Sequence, residues 1–184
     1  YYGGAIMQIS VFGRTDKRAC IYTLMKILQP LGDVAVITSN RHFMRLTEDG
    51  APFGFYQNIS IFVTDATADE MWQTIDHKPG DFDHIIMDNL YNESTDLIIY
   101  VQGAGVEASD EYLFDTFEDM QLICMGKGKN AVPYSKELME NLEKIEYYRQ
   151  LIVPSPGMVN VLAKMLAEPL KMPIKNIVKV ANKK

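Results

Sequence analysis

Uniformly apolar runs alternate with amphipathic stretches along this chain. The runs 6–12, 34–38, 58–64, 84–88, 96–102, 120–125 and 151–154 have strand length and no polar alternation. Such strands are expected to be buried on both faces. Between them lie helical periodicities. Ile21, Leu24, Leu28 and Leu31 recur every three or four residues, with Met25 on the same face; Thr15 or Asp16 is the expected cap, and Pro30 with Gly32 ends the pattern. Thr67 and Glu70 have capping-box spacing and open a short helix through Met71, Trp72 and Ile75. Leu113, Phe114 and Phe117 predict a helix within 108–118, capped by Ser109 or Asp110. Over 135–149, Leu138, Leu142, Ile145 and Tyr148 form an apolar stripe, and Glu137, Glu140, Glu143, Lys144 and Glu146 form the expected wet face. Met158, Val161, Leu162, Met165 and Leu166 make a last helix, stopped by Pro169. Residues 40–56 read as a loop with a short helical turn, and 172–184 as a basic tail. The alternation predicts an α/β fold: three layers, a mostly parallel sheet with helices on both faces, Rossmann-like in layout, in one domain over 7–184.

Composition narrows the class further. The chain has 184 residues, 47% hydrophobic, and a net charge of −6. No apolar run reaches the roughly 18–20 residues of a membrane span, and the acidic balance makes nucleic acid an unexpected partner. Residues 1–6 precede Met7 without signal-peptide character and are expected to be a cloning remnant. Cys20 and Cys124 each lie in an apolar segment without CxxC spacing and are expected to be buried free thiols, consistent with a cytoplasmic protein. His42, His77 and His84 are scattered, so no metal site is expected. No Ser/His/Asp, Cys/His or paired-carboxylate arrangement is readable. No GxGxxG occurs: Gly103-Ala104-Gly105 is the nearest fragment, and position 108 is Ala.

In an open parallel sheet, ligands bind beyond the carboxyl ends of the strands. There the chain carries Gly13-Arg14-Thr15-Asp16-Lys17-Arg18, Ser39-Asn40-Arg41, Asp88-Asn89 and Gly126-Lys127-Gly128-Lys129-Asn130. The layout of a strand, a short Gly/Lys-bearing loop and a helix, followed by FDHIIMDN at 82–89, TDLIIYVQ at 95–102 and LIVPSPGMVNVLAKMLAEP at 151–169, resembles the MinD/ParA family of nucleotide-dependent partitioning ATPases. The resemblance covers most of the chain through layout more than identity. It implies a P-loop NTPase-like fold, a phosphate loop at Gly13, Arg14, Thr15, Lys17 and Arg18, a Walker B-like carboxylate at Asp88, and nucleotide with magnesium.

The departures from that family matter more. A P-loop wraps phosphates in a long glycine-rich turn, followed by Lys and Ser/Thr. This loop is about two residues short, holds one glycine, and follows Lys17 with Arg18, so the magnesium-binding hydroxyl is missing. No aspartate follows the second strand, where Ser39 and Asn40 stand. The expectation is therefore a degenerate scaffold without a cofactor that does not hydrolyse ATP, because positioning and charge neutralisation carry phosphoryl transfer. Its implied role is assembly: a component of a positioning, partitioning, pilus, secretion or conjugation machine, with protein partners including a second copy of itself. The alternative is a nucleotide-binding switch with an atypical loop, using Lys17 on phosphate and Asp88 through magnesium. The expected partner surface is the basic, aromatic segment carrying Arg41, Phe43, Arg45, Phe53, Phe55 and Tyr56. Tyr147-Tyr148-Arg149 also has interface composition.

Overall fold

A computed structural model describes residues 6–104 and 108–183. Residues 1–5, 105–107 and 184 lie outside the described residues, and with them most of the segment expected to be a cloning remnant and the end of the Gly103-Ala104-Gly105 fragment.

The strands are β1 (Met7–Phe12), β2 (Val34–Thr38), β3 (Phe53–Tyr56), β4 (Ile59–Val63), β5 (His84–Asp88), β6 (Leu97–Gln102), β7 (Gln121–Met125) and β8 (Ala131–Val132). The helices are α1 (Arg18–Leu28), α2 (Ala68–Thr74), α3 (Glu111–Thr116), α4 (Lys136–Tyr148), α5 (Pro156–Leu166) and α6 (Ile174–Ala181). The sheet order is β3-β4-β2-β5-β1-β6-β7-β8. Every pairing is parallel except the β3–β4 hairpin. This is a Rossmann-like three-layer α/β fold.

Continuous apolarity in the strands reflects cover on both faces. All six residues of β1 and all five of β2, β4 and β5 are buried. On one face Ile9, Val11, Val36, Ile61 and Ile99 pack with α1, α4, α5 and α6 in the main core. On the other, Ile37, Phe62, Ile85 and Met87 pack under Ala68 and Met71 of α2, while Phe12 and Tyr100 pack with Leu113 of α3. The Thr67–Glu70 capping box forms at the start of α2. Ser135 caps α4, accepting from the Leu138 N–H, and Ser155 caps α5 ahead of Pro156.

The order has a consequence for chemistry. In dinucleotide-binding and flavodoxin-like sheets the first two strands are neighbours. Here β5 is inserted between β2 and β1, with Val11 opposite Asp88. The end of β5 therefore sits directly beside the loop after β1.

Four expectations need correction. Residues 40–56 are not simply loop: they form 3-10 turns at Arg41–Arg45 and Glu48–Gly50 and then edge strand β3. Residues 172–184 carry helix α6, whose Ile177 and Ala181 are buried while Lys175 and Lys179 face away; the lysines masked an amphipathic period. Residues 151–154 belong to no strand. Their apolarity reflects packing against the helical layer, with Leu151 buried in the main core, and a short apolar run alone does not distinguish the two cases. Finally, α1 begins at Arg18 with Lys17 at its cap position, although the Asp16 carboxylate still accepts from the Arg18 N–H.

Candidate functional site

The loops after β1, β2 and β5 converge on a cleft of about 290 Å3, lined by residues 14–18, Ile21, Ser39, Asn40, His42, Asp88 and Asn89. It opens at the carboxyl edge of the sheet, where this architecture places ligands.

Gly13 starts the loop with φ 125°, and a Cβ there would clash with the Val101 carbonyl oxygen. Only glycine fits. Its N–H donates to Asn89 Oδ1 at 3.1 Å. The chain then turns so that Lys17 points back: its Nζ donates to the Gly13 carbonyl and lies 3.3 Å from Asp88 Oδ1. Both side chains are buried, Lys17 at 10% exposure and Asp88 at 6%. Asp88 Oδ2 accepts from Thr38 Oγ1 at 2.7 Å, and Thr38 Oγ1 accepts from the Asn40 N–H at 2.9 Å. Among the described residues, Lys17 is the only partner of Asp88 Oδ1, through an ion pair rather than a hydrogen bond. One polar chain thus ties together the ends of β2, β5 and β1.

The other loop cations are also engaged. Arg14 lies 3.5 Å from Asp110, which also accepts from Tyr100 Oη and so does not cap α3 by its side chain. Thr15 Oγ1 is 3.1 Å from Tyr134 Oη. Arg18 binds both oxygens of Asp16 through Nε and reaches Glu146 Oε1 at 3.0 Å through Nη1. Burial opposes ionisation of Asp16, but the hydrogen bonds from Arg18 outweigh it and hold the carboxyl below its usual range. On Arg18, the same bonds raise the guanidinium above its ordinary value against the effect of burial.

Glu146 is the hub that sequence reasoning misses. Placed on the wet face of its helix, it is in fact buried, its side chain 2% exposed. Oε1 accepts from Arg18 and from Tyr22 Oη, both at 3.0 Å. Oε2 accepts from Arg45 Nη1 at 3.1 Å and lies 3.2 Å from His42 Nδ1. Burial, then the neighbouring Glu146 carboxylate, raises the Tyr22 phenol above its ordinary value. A signal was present, since Leu138, Leu142, Ile145 and Glu146 fall at i, i+4, i+7 and i+8 on one helical stripe.

The expected partner surface divides. Phe43 is fully buried, its ring 4.9 Å from that of Tyr22, and so leaves the surface; the 3-10 turn aims it inward. Arg45 is committed to Glu146, and Tyr56 is half-buried with its hydroxyl accepting from the Leu151 N–H. Arg41 is exposed, as are Phe53 and Phe55, the latter at 61%. Tyr147 and Tyr148 are also exposed, at the end of α4.

Cys20 and Cys124 are buried and unpaired, and burial pushes the Cys20 thiol far above its ordinary value. Among the described residues no three His, Cys, Asp or Glu side chains converge as a metal site, and no helix is long and apolar enough to cross a membrane. The fold and site define a class, a parallel α/β sheet with a self-neutralised polar cleft at its carboxyl edge. Compared with known proteins, the chain matches no family model and no curated protein.

Proposed function

We propose that this chain is a non-catalytic assembly protein on a degenerate MinD/ParA-like scaffold, its phosphate end occupied by its own side chains. The observation that carries this is Lys17. The lysine that would meet a phosphate is buried on Asp88 and on the carbonyl of its own loop. The insertion of β5 beside β1 supports the kinship, because a phosphate loop and a Walker B carboxylate must stand together to share magnesium.

The residues as placed do not fit a magnesium-bound phosphate chain. The Gly13 N–H is taken by Asn89, the hydroxyl on Asp88 comes from Thr38 rather than from the helix start, and Arg18 is turned to Asp16 and Glu146. No catalytic step is derived through such a group.

What remains for function is surface. Phe53 and Phe55 project from edge strand β3, and Tyr147 stacks edge-on with Tyr148 at a centroid distance of 4.9 Å. Exposed aromatics are enriched at protein interfaces, and an edge strand offers unpaired main chain. The partners are proteins, a second copy of the chain first among them. Light scattering of the purified chain, with and without magnesium and ATP, tests this. A mass above one chain, unchanged by nucleotide, is expected. A mass equal to one chain, or a dimer that forms only with nucleotide, overturns it.

A further inference from the structure

A second cleft, of about 730 Å3, lies at the other end of α1, on the amino edge of the sheet. Its walls are the end of α1, the β3–β4 turn, residues 150–153 and the end of α6. Its volume falls in the range of specific ligand sites.

Three observations point to one occupant. Residues 151–153 have strand composition but belong to no strand. The Leu151 N–H is used by Tyr56 Oη, yet among the described residues the backbones of Ile152 and Val153 make no hydrogen bond. Successive main-chain groups without partners, bordering a cleft, are what an added strand pairs with. The charge is the reverse of the chain's own. On a molecule of net charge −6, this cleft is lined by Lys26 and Lys183 and, among the described residues, by no carboxylate. Lys26 Nζ donates to the Lys183 carbonyl at 3.0 Å, and among the described residues neither lysine meets an acid. Side-chain amides, Gln150 among them, and the apolar surfaces of Tyr56 and Leu151 line the same space.

We propose that this cleft binds an extended segment of a partner protein carrying alternating apolar and acidic residues. Its main chain pairs with Ile152 and Val153, and its carboxylates meet Lys26 and Lys183. The site is independent of whether the carboxyl-edge cleft takes nucleotide.

The test is amide NMR of the isotope-labelled chain, titrated with the blocked pentapeptide acetyl-Glu-Val-Glu-Val-Glu-amide. Saturable shifts centred on 150–153, Lys26 and Lys183 are expected, weakened about tenfold by raising the salt to a level that shortens the screening length to a few ångströms. A peptide with Lys in place of Glu, and one with Pro in place of Val, should each bind at least about tenfold more weakly, the second because it cannot donate to a strand partner. The K26E/K183E double variant should lose affinity for the acidic peptide by a similar factor. The peptide arms use the unaltered protein, so they decide even if that variant misfolds. Absence of saturable shifts, equal binding of the Lys or Pro peptide, shifts centred on β3, or binding of N-acetylglutamate as tight as that of the pentapeptide would each overturn the proposal.

Discussion

The two ends of α1 treat charge in opposite ways. At its amino end Arg14, Lys17 and Arg18 are met inside the chain by Asp110, Asp88 and the pair Asp16 and Glu146. At its carboxyl end Lys26 and Lys183 border a roomier cleft that, among the described residues, holds no acid and adjoins main chain at 152–153 without a hydrogen-bond partner. Both regions are basic in sequence. Only burial and long-range pairing separate a cluster that holds the fold together from one left for another molecule. A basic loop in the place where this fold class binds ligands is thus not by itself an anion site, because buried charges must be paired to be tolerated.

The largest effect should come from the hub at the amino end. Glu146→Ala leaves half-buried Arg18 with Asp16 alone and buried Tyr22 without its carboxylate, and should lower stability by about 3 kcal/mol in denaturant melts. A loss below about 1 kcal/mol would mean that the network is peripheral. Next is the Lys17–Asp88 pair. Lys17→Met strands a buried carboxylate and should cost about 3 kcal/mol, whereas combining it with Asp88→Leu should recover most of that loss, since buried pairs are often replaceable by apolar ones. Additive losses in the double variant would show that the two side chains are not coupled.

A smaller effect separates well-paired from weakly paired buried groups. His84, at the start of β5, is buried, its imidazole met only weakly, by the backbone of Leu31. Burial holds its imidazole below the ordinary value of 6.5, with neighbouring Asp83 opposing. The unfolded chain therefore takes up the proton first. Stability contributed by neutral His84 is fully present above pH 6.5, declines as the pH falls below 6.5, and levels off below the folded value. Denaturant melts across mildly acidic pH should show this slope, and His84→Phe should remove it; an unchanged slope would assign it elsewhere. Smallest of all, K26E/K183E should leave stability within about 0.5 kcal/mol of the parent, as expected for surface charges whose bond to the chain, from Lys26 Nζ to the Lys183 carbonyl, is exposed. A larger loss would place those lysines in the fold rather than in a binding cleft.

Much of the fold is legible in the sequence because both faces of the sheet are covered. Continuous apolar runs such as Val34–Thr38 and His84–Asp88 mark its central strands. The Thr67–Glu70 box is equally local, and it forms. Strand order is not legible, since no local signal says that β5 enters between β2 and β1. Leu151–Val153 misled because burial against helices and burial in a sheet select the same residues. The candidate site was half legible. Asp88 stands at the end of its strand and Lys17 at the start of its helix, as the sequence suggests. Their pairing, and the capture of Arg18 by Glu146, join residues far apart in the chain. Glu146 was hidden by the acidic composition around it, and Phe43 by the polar composition of its turn.

The charges of the carboxyl-edge cleft are neutralised by the chain's own ion pairs. Calorimetric titration of the unaltered chain and of Lys17→Ala with magnesium–ATP and magnesium–GTP tests this most directly. Neither protein should give saturable heat. Saturable binding by the unaltered chain that Lys17→Ala abolishes would contradict this and make the chain a nucleotide-binding switch.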